Sequence, residues 1–411
     1  MSKQNIFINS YTHFIYILYY YSIVNIVIIT FSGIPTVDYC LPLVSKDEDN
    51  KYFLVTNSLN YKKLFPDFDD TKKLMDQFKV ANIDLSSFSI LRIIKYFFKF
   101  NFRNYRTNNY LVKFTNKLER VLVKKLNLTI KTLKKINPDV VFFDHRDPTT
   151  IENYEKLFEY FKKNNIEVYL TPHAPHYLEE NEHLPTKLNK HLLSNVKYLE
   201  AFKFSKLDKD DKNLYEETLL NSYPGFDKSW LKFLDSSTQY TDSLVVLLRP
   251  FHAKNSKWDK AEKVVMEDHE LDEIIKGVNN LIKRNKYNSI IIKPHPKNFK
   301  KDLTSHVLPF IEHKNVTIYR DSIYNLISKK NQFISTYSTT LLVAIANESP
   351  TYIINSQIFN KVFKDWDVLS DLYSNFSGFS YSKDLDQLTV DVKSDKDHLY
   401  TFFNETNSKF I

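Results

Sequence analysis

With 411 residues the chain is longer than one ordinary hydrophobic core serves, so two domains are expected, and a content of 43% apolar, 15% aromatic and 26% charged residues is globular. Its four glycines, Gly33, Gly225, Gly277 and Gly378, cannot spell a GxGxxG turn or a P-loop, which excludes a glycine-rich phosphate cradle. The net charge of +8 is unevenly spread: from Arg92 to Lys135 thirteen Lys/Arg face one acid, Glu119, a local +12 that leaves −4 for the rest.

The N-terminal run "HFIYILYYYSIVNIVIITF" is long and nearly uncharged, as a membrane span is. Asn25 inside it, the many tyrosines and the β-branched second half fit another reading better. "QNIFINS" reads as a strand, "YTHFIYILYYYSI" as a helix and "VNIVIITFSG" as a second strand. No small-residue cleavage site follows, so a signal peptide is not expected. The lone Cys40 excludes an internal disulfide and a cysteine metal cluster and fits a reducing compartment. The expected location is therefore cytoplasmic.

Strand-like "KYFLVTNS" comes next, then a long basic helical region reaching to about residue 136. That region is either a solvated helix face or a surface for anionic lipid or an anionic polymer, which allows a peripheral contact with the inner membrane face. No nucleic-acid motif accompanies the charge, so nucleic acid is not the expected partner. "DVVFFDHRD" reads as a buried strand ending in charge, "TIENYEKLFEYFKKNN" as a helix, and "IEVYL" as a strand running into "TPHAPHY". The polar, aperiodic "DSSTQYTD" at 235–242 is the expected linker.

The pattern then restarts. Strand "SLVVLLRP", helix "LDEIIKGVNNLIKRN", strand "SIIIKPHP", a helix near 302–312, strand "VTIYR", helix "SIYNLISKK", strand "QFIST", helix "TTLLVAIANES" and strand "TYIIN" follow in order. Alternating strands and helices imply parallel sheets. Two doubly wound α/β domains are expected, at 1–238 and 239–411.

In such sheets ligands bind beyond the carboxyl ends of the strands. Three ends in the second half carry chemistry. "LLRPFHAKN" brings Arg249 and His252. "KPHPK" holds His295 between two prolines, which stiffen the loop and aim the imidazole, with Lys293 and Lys297 alongside. "STYSTT" places Ser335, Thr336, Ser338, Thr339 and Thr340 before a helix, whose free N–H groups favour an anion; plain helix capping explains one such hydroxyl. A phosphate is the expected guest. His173 and His176 in "TPHAPHY" are spaced as metal ligands can be, but Pro175 and the absence of a helix argue against a metal.

These residues resemble a family. "KPHPK" is similar to the His-Pro motif of bacterial sialyltransferases, including capsular polysialyltransferases and lipooligosaccharide sialyltransferases, and "YSTTLL" to their Ser/Thr motif. "YLTPHAPHYLEENEHLPTKLNKHLL" looks like their acidic-motif loop, so the likeness runs in patches from about 166 to 356. The resemblance implies a GT-B fold, with two Rossmann-like domains facing across a cleft. It implies a CMP-sialic acid donor, a glycan acceptor and no metal or other cofactor. It gives His295, Ser338 and Thr339 to the donor phosphate; Arg249, Lys293, Thr340 and His176, from the strand ends and the loop themselves, are the further candidates for substrate binding. The loop departs from the family, because Thr171, Pro172, His173 and Ala174 stand where an acidic base is expected. His173 is a competent base near neutral pH, and Asp144 and Asp147 in "FDHRDP" are the acidic substitutes. The departure opens two alternatives: transfer from a CDP-polyol or another GT-B donor, and a degenerate protein that only binds glycan or nucleotide.

Overall fold

The computed structural model describes residues 23–30, 35–56, 69–85, 127–144, 154–172, 195–203, 217–220, 223–249, 268–284, 287–295, 315–335, 338–355, 372, 379–381 and 396–403. Two parallel sheets organise them. Strands β1 (Asn25–Thr30), β2 (Lys51–Thr56), β3 (Ala81–Asp84), β4 (Val140–Asp144), β5 (Glu167–Thr171), β6 (Val196–Glu200) and β7 (Glu217–Leu220) form the first, in the order β3-β2-β1-β4-β5-β6-β7. Strands β8 (Ser243–Leu247), β9 (Ser289–Lys293), β10 (Val316–Ile318), β11 (Gln332–Ser335), β12 (Thr351–Asn355) and β13 (Phe379–Tyr381) form the second, in the order β10-β9-β8-β11-β12-β13. Each order reverses once, between β1 and β4 and between β8 and β11. These are the two doubly wound halves expected from the alternation of strands and helices.

The helices in chain order are α1 (Pro35–Val44), α2 (Asp69–Gln77), α3 (Leu128–Ile136), α4 (Tyr154–Lys163), α5 (Lys228–Ser237), α6 (Asp268–Arg284), α7 (Leu341–Ala346) and α8 (Lys396–Phe402). Side chains alternate between the faces of a strand, so each apolar strand feeds two cores. Val27 and Ile29 of β1 join a core that α3 and α4 cover with Leu133, Phe158 and Phe161. Leu244 and Val246 of β8 and Ile290 and Ile292 of β9 meet Ile274, Val278 and Leu281 of α6. The opposite faces share a single core. Ile26 and Ile28 from the first sheet and Val245, Leu247 and Ile291 from the second belong to one cluster, filled by α1, α5 and α7. Apolar side chains from both sheets are thus removed from water in one layer, which favours the halves staying together. The chain end adds to this: Phe403 bridges Phe202, and the Tyr400 hydroxyl donates to the Phe226 carbonyl at 3.4 Å.

Local expectations fare unevenly. "QNIFINS", the helix after it, most of the basic region and the helix near 302–312 lie outside the described residues. Of the basic region, α3 is described, and it is helical. "DSSTQYTD" does not begin as a linker, because Asp235, Ser236 and Ser237 complete α5. The helix continues because Trp230, Leu231 and Leu234 bury one face while the Asp235 carboxylate accepts from the Ser328 hydroxyl and the Lys329 N–H. "SIYNLISKK" is not a helix but a 3-10 turn, Ile323–Leu326, with Ile327 already extended. Ile323, Tyr324, Leu326, Ile327 and Ser328 are all buried and the exposed Lys329 and Lys330 come together at the end, so the segment lacks the periodic solvent face of an amphipathic helix.

Candidate functional site

The second sheet reverses order between β8 and β11, and the residues singled out from the sequence stand at its strand ends there. Leu248 continues β8 by donating its N–H to the Lys293 carbonyl at 2.9 Å, and Arg249 follows, only 3% exposed. On one side β9 ends in Lys293, buried Pro294 and half-buried His295. On the other side β11 ends in Ser335, fully buried, whose hydroxyl donates to the Leu247 carbonyl at 3.0 Å. That hydroxyl therefore ties β11 to β8. Ser338, Thr339 and Thr340 follow, all half-buried. The Ser338 hydroxyl accepts from the Thr340 N–H at 3.3 Å and its carbonyl from the Leu341 N–H at 3.0 Å, which starts α7. Arg249, His295 and the hydroxyl run thus leave three neighbouring strands, in the order β9-β8-β11. Residues 250–267, with His252, and Thr336 lie outside the described residues.

The first sheet presents Asp144 at the end of β4, paired in register with Thr171 of β5. The Thr171 hydroxyl donates to the Phe143 carbonyl at 3.2 Å, locking the two strand ends together, and Pro172 beyond it is buried. His173, His176 and Asp147 lie outside the described residues. Among the described residues, no three His, Cys, Asp or Glu side chains gather as a metal site needs.

The side chain of Lys293 turns inward. It is buried, and its ammonium donates to the Asp321 carbonyl at 2.6 Å. Burial pulls the amine down to about 8, against the opposing pull of the Asp38 and Asp321 carboxylates. Those acids belong to a seam that no local sequence signal marks. Asp321 follows β10, in the second half. Its carboxylate accepts from the Asp70 N–H at 2.9 Å, the Thr71 N–H at 3.1 Å, the Thr71 hydroxyl and the Ser322 N–H at 2.6 Å. Asp70 and Thr71 open α2 of the first half, so the second half caps a helix of the first. Burial raises the Asp321 pKa, although these donors oppose it.

The next residues repeat the arrangement on α1. The Ser322 hydroxyl donates to the Asp38 carboxylate at 3.0 Å, and the Tyr324 hydroxyl to the Asp38 carbonyl at 2.6 Å. Burial pushes the Asp38 carboxyl up to about 7; the Ser322 bond and the charge of Lys293 oppose that rise. The helices α1 and α2 leave the carboxyl ends of β1 and β2, and residues 319–324 leave the carboxyl end of β10. The carboxyl edges of the two sheets therefore meet.

No family model matches this chain, and no curated protein matches it. Solved structures resemble it in outline. A glycosyltransferase from Rickettsia africae ESF-5 is 13% identical at a TM-score of 0.41, over 89% of this chain and 87% of that one. Arabidopsis thaliana UGT89C1 with UDP-L-rhamnose is 8% identical at a TM-score of 0.42, over 90% of each chain. The glycosyltransferase VinC with dTDP is 9% identical at a TM-score of 0.37, over 89% of each. Identities this low carry over no residue.

Proposed function

We propose that the chain is a glycosyltransferase of GT-B architecture. In this reading it moves a sugar, sialic acid or a related acidic sugar, from a CMP-activated donor to a cell-surface glycan such as capsule or lipooligosaccharide. One observation carries the reading: Arg249, His295 and the Ser338-Thr339-Thr340 run sit on three adjacent strand ends where the order of the second sheet reverses, the place at which open α/β sheets bind ligands. The likeness of "KPHPK" and "YSTTLL" to the sialyltransferase motifs supplies the donor class.

The chemistry follows from charge. As the bond between the anomeric carbon and the phosphate oxygen breaks, negative charge grows on the CMP phosphate. Donors fixed before the reaction stabilise that charge without reorganising. In the proposal His295, Ser338 and Thr339 donate to it, and Arg249 balances its charge from beneath. Thr340 completes the hydroxyl run. Lys293, engaged with Asp321, holds the loop that carries His295. On the acceptor side His173 takes the proton from the attacking hydroxyl, with Asp144 as the acidic alternative and His176 on the substrate. The acceptor oxygen joins the anomeric carbon, and CMP leaves with the bonding electron pair. In the proposal the basic stretch of 92–135 serves an anionic acceptor or membrane surface.

Calorimetry with CMP tests the assignment. Wild type is expected to bind, and His295→Ala to bind at least tenfold more weakly, the loss of one charge-assisted hydrogen bond. Equal affinity of the two proteins contradicts the role of His295, and tighter binding of UDP or dTDP than of CMP contradicts the donor class.

A further inference from the structure

We propose that Asp321 is a positioning residue that couples the His295 loop of the second half to helix α2 of the first. The proposal rests on the assignment of His295 to the donor phosphate for its functional consequence, and on geometry for the coupling itself.

The carboxylate of Asp321 spends its acceptor capacity across the seam. Three of its four donors, the N–H groups of Asp70 and Thr71 and the Thr71 hydroxyl, belong to a helix some 250 residues away in sequence. The first N–H groups of a helix have no partner within it, so a charged cap is both a chemical need and an electrostatic match to the helix dipole. The same residue offers its carbonyl to the Lys293 ammonium. Lys293 ends β9, and His295 follows after one rigid proline. One buried residue, 1% exposed, thus touches the acceptor-side helix with its side chain and the base of the His295 loop with its backbone. Lys293 also lies 5.9 Å from the ring centre of Tyr319, two residues before Asp321, so the segment after β10 touches the last residue of β9 at two points. Moving α2 moves Asp321, and moving Asp321 moves the peptide that aims His295.

An ordinary cap has a different signature. It stabilises its own helix and nothing else. Hydrogen exchange on the full chain separates the two. In Asp321→Ala the amides of Asp70 and Thr71 should exchange about ten- to hundredfold faster, the loss of charge-assisted bonds. If Asp321 couples the halves, the amides of Ile292 and Lys293 speed up as well, while those of β12 do not. Affinity for CMP should fall with them, and Asp321→Asn, which keeps an acceptor oxygen, should restore part of both. Thr71→Val removes only the hydroxyl donor and should produce the same pattern more weakly, which keeps the comparison open if Asp321→Ala does not fold. Faster exchange in α2 with Ile292 and Lys293 unchanged overturns the coupling. A wild type that does not bind CMP at all overturns the donor assignment instead, and the exchange comparison still decides the coupling.

Discussion

Asp38 makes the stability of the seam depend on pH near neutrality. Its carboxyl, ordinarily near 3.8, is raised to about 7 by burial between α1 and the second half. Ser322, Lys293 and Asp321 surround it, with the Tyr223 and Tyr324 hydroxyls close by. A group whose pKa is higher folded than unfolded binds its proton more tightly in the folded state. Its stabilising contribution is complete below pH 3.8 and is lost as pH rises through 7. At about 1.4 kcal/mol per tenfold change in proton affinity, the loss between pH 5 and pH 8 has an upper bound of about 2.7 kcal/mol. Asp38 is only partly buried, and solvent screening brings the expected value to about 2 kcal/mol. Asp38→Asn keeps an acceptor for Ser322 and cannot ionise. Urea unfolding of both proteins at pH 5 and pH 8 cancels the titration of groups that do not interact with Asp38; loss of its charge also lowers Lys293 further, which moves the difference in the same direction. The variant should gain about 2 kcal/mol on wild type between the two pH values. A difference that stays constant, or moves the other way, refutes the claim that Asp38 is protonated in the folded protein at pH 5.

Two further expectations concern packing and proton transfer. A Cβ at Gly225 falls 2.5 Å from Tyr223 Cε1 and 2.7 Å from the Tyr324 hydroxyl, so Gly225→Ala should cost about 1–3 kcal/mol in urea unfolding, and an unchanged midpoint contradicts the packing of this layer. His173→Ala should leave CMP affinity intact and lower turnover by about 10²–10⁴-fold; if Asp144→Ala does this instead, the base is the acid.

Runs such as "SIIIK" and "SLVVL" were legible because strands buried on both faces need continuous apolar sequence. The strand ends were legible for a related reason: Arg249, and Pro294 with His295, break the apolar runs just where β8 and β9 finish. Strands β3, β6, β7 and β13 were missed. "ANID", "VKYLE" and "ETLL" are short and part polar, as edge and outer strands are. Helix α1 hid behind Pro42, which sits inside it. Asp38 and Asp321 left no trace at all. Their meaning lies in partners 284 and 250 residues away, Ser322 and Thr71, and nothing in "PTVDYC" or "YRDSIY" marks an acid that will face another domain.

The central claim is that the second half holds a CMP-sugar whose sugar is transferred. Incubating the full chain with CMP-, CDP-, UDP- and dTDP-sugars, and measuring the nucleotide released, tests it most directly. Release of CMP from a CMP-activated acidic sugar, lost in His295→Ala, is the expected result. Release from a CDP-polyol, UDP-sugar or dTDP-sugar alone contradicts the donor class, and release from none, with no nucleotide bound, contradicts the transferase itself.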